Sequence, residues 1–244
     1  MHLLSIRVSI DTIQSIPSKY RSFTTDTVTS KSIDTLHGIL CTEDKLKVRL
    51  KDSLQTMLDK YPNFGKSKMP WQDWWRKVVK LTLEDFITLD QDTTKIADKL
   101  IEDYRTSKCW AVADGADHLL QQLRRKNVSL GVISNFDPRL KEILTDVNLL
   151  KYFDFIITSY DAGYSKPDKN IFVMAMNKSR IPVISTEVLH IGDDLKKDYD
   201  GARKAGCHAI LINPNPDIEI RWPPISLTHG LISRFPSAAV WFFP

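Results

Sequence analysis

The sequence is short of features that mark several classes of protein. It has only three cysteines, Cys41, Cys109 and Cys207, and no C-x-x-C spacing, which argues against a disulfide framework and favours a reducing compartment. It has no run approaching about 20 apolar residues, which excludes a membrane-spanning helix. Its net charge of +4 is small and dispersed, so composition does not point to nucleic acid as a partner.

What is present is the composition of an ordinary globular chain. Of the 244 residues, 42% are hydrophobic and 26% are charged, which argues against disorder, collagen and coiled coil. The length suits one domain, or one domain with a sizeable insertion.

Four segments differ in their residue pattern. Residues 1–36 are rich in Ser and Thr and lack a hydrophobic period, which predicts an irregular N-terminal arm and a cytoplasmic protein. The alternative interpretation of this segment is a transit peptide, which would indicate a mitochondrial protein. Residues 37–110 have helical periodicity and almost no glycine. Residues 111–217 alternate between short apolar runs and helical stretches, and residues 218–244 have no clear period, which predicts an irregular tail.

The third segment predicts a parallel sheet covered on both faces by helices. Its predicted strands are 129–134, 155–158, 188–192 and 209–212, and its predicted helices lie at about 116–126, 138–149, 168–179 and 196–205. Ligands of such sheets bind at the carboxyl ends of the strands, so the residues that end each strand are the candidates for function.

Two of those strand ends offer groups that suit an anion. Ser134 and Asn135 end the first strand and can donate hydrogen bonds, although a helix cap is an equal interpretation of that pair alone. Lys166 follows the second strand, next to Pro167, which restricts its conformation. A lysine held between a strand end and a helix start suits a phosphoryl group.

The third strand runs into Gly192 and then a group of carboxylates. Asp193 and Asp194 are adjacent, and Asp198 falls one helical turn later. Carboxylates this close are costly unless a cation neutralises them, and their oxygens suit Mg²⁺. Helix capping by Asp194 is the other interpretation and is compatible with a metal bound by Asp193.

These motifs, in this order, resemble the haloacid dehalogenase-like hydrolase superfamily. The resemblance rests on Val132–Asn135, Ser165–Asp168 and Ile191–Ala202, and over about residues 37–217 the text is similar to the group called haloacid dehalogenase-like hydrolase domain-containing protein 3. It implies an α/β fold, a Rossmann-like parallel sheet core at 111–217 with an inserted helical cap at 37–110. It also implies Mg²⁺-dependent hydrolysis of a small phosphate ester.

The resemblance also implies a role for each matching residue. Ser134 and Asn135 would contact the phosphate, and Lys166 would be the catalytic lysine that stabilises the phosphoryl group. Asp193 would bind the magnesium ion directly, with Asp194 or Asp198 in support. The expected partner is therefore phosphate or a small phosphorylated molecule, with neither nucleic acid nor a membrane involved.

The first motif of the superfamily, a nucleophilic Asp followed three residues later by Asp-Thr, is missing. The Asp-Thr pairs in residues 1–40 are Asp11-Thr12, Asp26-Thr27 and Asp34-Thr35. The residues three positions before them are Val8, Phe23 and Lys31. We therefore expect turnover to be lost and the sheet to have an unpaired central groove, which Leu3–Ile10 could partly fill.

Three functions stay open at this point. The first is a family hydrolase whose activity is either lost or restored by another acid such as Asp11. The second is a non-catalytic module that binds phosphate or regulates another protein. The third is a truncated variant without activity. The sequence does not name the substrate, because fold does not fix function.

Overall fold

The computed structural model describes residues 41–87, 92–110, 112, 115–211 and 239–242. The described chain divides into two compact units, one before Val112 and one from Val112 onward. None of the helices in these residues is both long and apolar enough to cross a membrane. The three Asp-Thr pairs of residues 1–40, which include Asp11, and the Leu3–Ile10 segment lie outside the described residues.

The first unit is helical, as the periodicity predicts. Its aromatic residues pack inward: Trp74 is almost fully buried, its ring lies 5.3 Å from that of Phe64, and its indole N–H donates to the Tyr61 carbonyl at 2.9 Å. Packing is therefore the observed role of Trp74. The elements are α1 Glu43–Lys60, α2 Trp71–Leu83 and α3 Thr93–Asp103, with 3-10 turns at Asn63–Gly65 and Ser107–Cys109.

The second unit is a parallel sheet with helices between its strands, which confirms the predicted fold class. The sheet contains β1 Ser129–Ser134, β2 Phe155–Thr158, β3 Val188–Gly192, β4 His208–Leu211 and β5 Ala239–Phe242. The first three have the predicted bounds, and β4 begins one residue early. All six residues of β1 are buried, as expected for a strand covered on both faces.

The connections in this unit are short helices and turns. The α-helices are α4 Ala116–Arg125, α5 Leu140–Asp146, α6 Ser159–Ala162, α7 Lys169–Lys178 and α8 Gly201–Lys204. A π-helical segment, Leu195–Asp200, precedes α8, and 3-10 turns lie at Leu150–Tyr152 and Ser185–Glu187. Helix α7 buries Ile171 and Phe172 in a core that includes Ile133 of β1 and Val188 of β3.

The centre of the sheet contains a strand that the sequence did not predict. The strand order is β2-β1-β5-β3-β4, and β5 is parallel to both neighbours. Ala239 pairs with Ser129 on one side and with Val188 on the other. The space between β1 and β3, called here the central slot, is therefore filled by a segment of the tail.

Two expectations are corrected by this strand. The tail at 218–244 is not irregular throughout, and the central slot is not an unpaired groove. The physical reason is that an empty slot would leave backbone N–H and C=O groups of two buried strands without partners. The Ala-Val-Trp-Phe run supplies a backbone for both, and its β-branched and aromatic residues favour extended structure.

Candidate functional site

The sheet brings the predicted site residues to one edge. Parallel strands end at the same side, so Ser134 at the end of β1 and Asp193 after β3 share that edge with Asn135. Lys166 lies in the loop between α6 and α7, and its contacts described below tie it to β1. Ser134, Asn135, Lys166, Asp193 and Asp198 together form a polar edge.

Asn135 holds the backbone of Lys166 from two sides. Its side-chain N–H donates to the Lys166 carbonyl at 2.9 Å, and its side-chain oxygen accepts from the Lys166 N–H at 2.7 Å. Both hydrogen bonds join residues far apart in the chain, so Asn135 fixes the loop after α6 against the end of β1. The predicted contact between Asn135 and phosphate stays a prediction; the contacts described here are with backbone.

The ammonium group of Lys166 is buried and contacts oxygen acceptors from β1 and from the π-helical segment. It donates to the Ile133 carbonyl at 3.0 Å and to Oδ1 of Asp198 at 2.8 Å, and neither side chain of the Lys166–Asp198 pair is exposed. Burial lowers the pKa of Lys166 to about 8, although the charges of Asp198 and Asp193 act in the opposite direction. The amine is therefore still mostly protonated at neutral pH.

Asp198 is the centre of the buried charge network. Its Oδ1 accepts from Lys166 and lies 2.9 Å from Nε2 of His190, and its Oδ2 accepts from the Asp194 N–H at 3.1 Å. Burial raises the pKa of Asp198, but the charge of Lys166 and the hydrogen bond from His190 outweigh burial and hold that pKa well below its usual range. The carboxylate is therefore ionised and can only accept hydrogen bonds.

His190 is a site residue that the sequence reasoning missed. It lies in β3, is fully buried, and burial lowers its pKa, so the imidazole is neutral. Because Asp198 can only accept, Nε2 of His190 carries the proton. The signal available in the sequence was a single polar residue in the middle of an otherwise apolar strand.

A second buried ion pair shapes the loop after β1. The Arg139 guanidinium donates to both oxygens of Asp137, at 2.9 and 2.6 Å, and both residues are almost completely buried. Asp137 also accepts from the backbone N–H of Arg139 at 3.0 Å. This bidentate ion pair closes the turn that follows Asn135. It was not predicted from the sequence.

Two glycines allow the loops of the polar edge to approach closely. A Cβ on Gly192 would lie 2.3 Å from the carboxyl carbon of Asp198, so a side chain there would displace the carboxylate. A Cβ on Gly201 would lie 3.1 Å from the Cα of Pro167, next to Lys166. The absence of a side chain at these two positions therefore lets the surrounding loops pack closely against the charge network.

The three carboxylates predicted to bind magnesium have different contacts. Asp194 accepts from the N–H groups of Lys196 and Lys197 and caps the π-helical segment, while Asp198 faces Lys166. In the part of the chain that the structure describes, no group of three His, Cys, Asp or Glu side chains is arranged to hold a metal ion. Asp198 and Asp194 each pair with a lysine, Lys166 and Lys197 respectively, and direct binding of Mg²⁺ by Asp193 stays a prediction.

Comparison with known proteins agrees with this architecture. A family model described as hydrolase, haloacid dehalogenase-like hydrolase, matches residues 11–206. The rhythmically expressed gene 2 protein of Drosophila melanogaster is 39% identical over 191 residues, covering 74% of each chain. The haloacid dehalogenase-like hydrolase domain-containing protein 3 of Bos taurus is 34% identical over 184 residues, covering 74% of this chain and 72% of its own.

Solved structures support the fold in the same way. The crystal structure of 2-haloacid dehalogenase from Pseudomonas syringae pv. Tomato DC3000 matches with a TM-score of 0.55 and 24% identity, and covers 83% of this chain and 88% of that one. The family match extends over most of the sequence and includes the residues of the polar edge. The chain therefore belongs to the haloacid dehalogenase-like hydrolase family.

Proposed function

We propose that this chain is a non-catalytic member of its family, which binds phosphate or a small phosphorylated molecule at the polar edge without hydrolysing it. One observation carries the proposal. The strand in the central slot is Ala239–Phe242, and none of its four residues has a carboxylate. Family chemistry needs an aspartate nucleophile delivered by the central strand, next to Ser134 and Asp193.

The register of β5 sharpens this point. Its last described residue, Phe242, pairs with Val132 on one side and with Ile191 on the other. These partners lie two positions before Ser134 and Asp193, respectively. The next two residues, Phe243 and Pro244, also have no carboxylate.

The anion-binding half of the site supports the binding role. Lys166 is fixed at the strand ends by Asn135, Ile133 and Asp198. A phosphate dianion near Lys166 would favour its protonated form and so would be bound more tightly below the pKa of the amine, which is about 8. Proton transfer to a leaving group and attack on phosphorus are not supplied by these residues.

A thermal melt beside a generic phosphatase assay tests the proposal. In phosphate at tenfold excess over its dissociation constant, wild type should melt about 3–5 °C higher, and Lys166→Met should lose that shift. With p-nitrophenyl phosphate, wild type should show no turnover above Lys166→Met, with or without Mg²⁺. Magnesium-dependent turnover that Asp193→Ala abolishes would contradict the proposal.

The alternative is an active magnesium-dependent phosphatase. It is favoured by the start of the family match at residue 11, which is Asp11. In that case Asp11 would serve as the acid that the central strand lacks, with Mg²⁺ held in part by Asp193. Turnover that is present in wild type and absent in Asp11→Asn, but unchanged in Asp26→Asn, would establish this alternative.

The proposal also covers the role of the helical unit and the cellular location of the protein. The helical unit at 37–110 would act as the cap that selects the phosphorylated molecule, as the family resemblance implies. We propose a cytoplasmic location, with a mitochondrial one as the alternative raised by the composition of residues 1–36. Imaging of the full chain tagged at its C-terminus would separate the two.

A further inference from the structure

We infer that the central slot is a strand-acceptor site, and that the Ala239–Phe242 segment of a second copy of this chain can fill it in place of the chain's own. The product would be a dimer in which the two copies exchange β5. This inference concerns assembly and does not depend on whether the site hydrolyses phosphate.

The strands on both sides of the central slot need a backbone partner between them. With β5 in place, β1 is buried at all six positions and β3 at four of five, and the inner edges of both strands pair with the backbone of β5. Four residues of β5 pair with β1, and the same four pair with β3. Without an occupant, both rows of backbone donors and acceptors would be unpaired inside the protein, which is costly.

The occupant is held by contacts that a second copy can reproduce. Main-chain pairing gives an added strand much of its affinity, and the same segment of another copy would form the same two ladders. The apolar Ala-Val-Trp-Phe sequence matches an interior position. The second copy is thus a partner whose chemistry is already complementary to the slot.

The connection to β5 is far longer than insertion into its own sheet requires. From the end of β4 the chain must return along about four residues and cross two strand spacings, a distance below about 20 Å. Residues 212–238 could span about 90 Å if fully extended. A connection with that reach allows β5 to enter the slot of a neighbouring copy, which is the geometry of domain swapping.

Cysteine pairs in register provide the test. Val188 and Ala239 are direct neighbours in adjacent strands, at a separation that suits a disulfide. Full-length Val188→Cys is mixed with full-length Ala239→Cys, the mixture is partially unfolded and refolded, and disulfides are then formed by mild oxidation. The expected result is a covalent dimer joined between positions 188 and 239, identified by peptide mapping that also assigns any product of the three native cysteines.

The matched control is one residue out of register. Val188→Cys mixed with Val240→Cys places the second thiol on the opposite face of the sheet, so we expect at least about a tenfold lower yield. A tenfold rise in protein concentration should raise the yield of the in-register dimer about tenfold while it is the minor species. Equal yields from the two mixtures would overturn the inference, because they would indicate random collision.

A single chain that carries both Val188→Cys and Ala239→Cys separates the remaining outcomes. If that chain forms its internal disulfide but the mixture never forms a dimer, β5 occupies the slot only in its own chain and exchange is wrong. If neither forms, β5 does not occupy the slot and the inference is also wrong. Dimer formation in the mixture together with the internal disulfide supports it.

Discussion

The polar edge and the centre of the same sheet have diverged in what they contain. At the edge, Lys166, Asp198 and His190 form a fully buried network in which every member contacts another. At the centre, β5 offers four residues without a carboxylate. One region holds a buried charge network, and the other supplies a backbone that pairs with a strand on each side.

Under the proposed function, this difference explains how buried charges can persist in a site without a catalytic nucleophile. Once Lys166 and Asp198 are buried together, removing either one leaves the other without its charge partner, which is strongly destabilising. The nucleophile position has no such protection, because the sheet needs only a paired backbone there. Stability alone therefore favours keeping the Lys166–Asp198 pair and does not by itself require an aspartate in the central strand.

The largest expected effect comes from breaking the charge network at its centre. Asp198→Ala removes the acceptor of both Lys166 and His190 and should cost about 3–5 kcal/mol of unfolding free energy in urea denaturation. Asp194→Ala in the same loop, which removes a helix cap and a partly exposed ion pair with Lys197, should cost about 1–2 kcal/mol. Equal losses in the two variants would show that the network does not stabilise the fold.

The next effect tests the close approach at the end of β3. Gly192→Ala puts a Cβ within 2.3 Å of the Asp198 carboxyl carbon and should cost about 1–3 kcal/mol, because the carboxylate must move. The double variant Gly192→Ala, Asp198→Ala should lose less than the sum of the two single losses. Additive losses, measured by urea denaturation, would mean that Gly192 acts independently of Asp198.

An effect of similar size is expected at Asn135, whose side chain holds the backbone of Lys166. Asn135→Ala removes both hydrogen bonds to the backbone of residue 166 and should cost about 1–3 kcal/mol. Asn177→Ala, at an exposed position of α7, is the matched control and should stay within about 0.5 kcal/mol of wild type. A neutral Asn135→Ala would show that the loop is held by other contacts.

The last prediction is a dependence of stability on pH. In the folded protein the pKa of Lys166 is about 8, against 10.5 for an ordinary lysine, so the unfolded chain binds more protons between these values. The stability of wild type relative to Lys166→Met should therefore rise with pH from about 8 to 10.5, with a slope of at most one proton, and be flat just below pH 8. Urea titrations of both proteins check this, and a difference that falls across that window would contradict it.

Much of the fold and of the site's position could be predicted from the sequence. The bounds of β1, β2 and β3 follow from short apolar runs between turn residues. The polar residues that end these strands could be placed at one edge because parallel strands share a direction. These are local patterns, and local patterns are visible in a single sequence.

The partners of each charge could not be predicted in the same way. Asp193, Asp194 and Asp198 look alike in the sequence, but Asp194 caps a turn and Asp198 pairs with Lys166. Which carboxylate meets which cation depends on how loops pack, as the contacts of Gly192 and Gly201 illustrate. His190 was missed for that reason, since its partner lies in the following helical segment.

The central strand was missed because its position is a property of the whole sheet. Ala239–Phe242 is a short run of strand-favouring residues at the end of a segment without a period. Nothing local marks it as central, and its neighbours β1 and β3 lie far away in the chain. Its position between β1 and β3 is explained by the backbone groups of these two buried strands, which need hydrogen-bond partners.

Hydrogen exchange of the C-terminal peptide tests the central claim most directly. Amides of a central strand exchange only when the sheet opens, so residues 239–242 should exchange as slowly as those of β1 and β3 in the folded protein, at a pH near 7 and without ligand. Exchange of residues 239–242 at the rate of an unstructured peptide, with β1 and β3 still protected, would contradict the account.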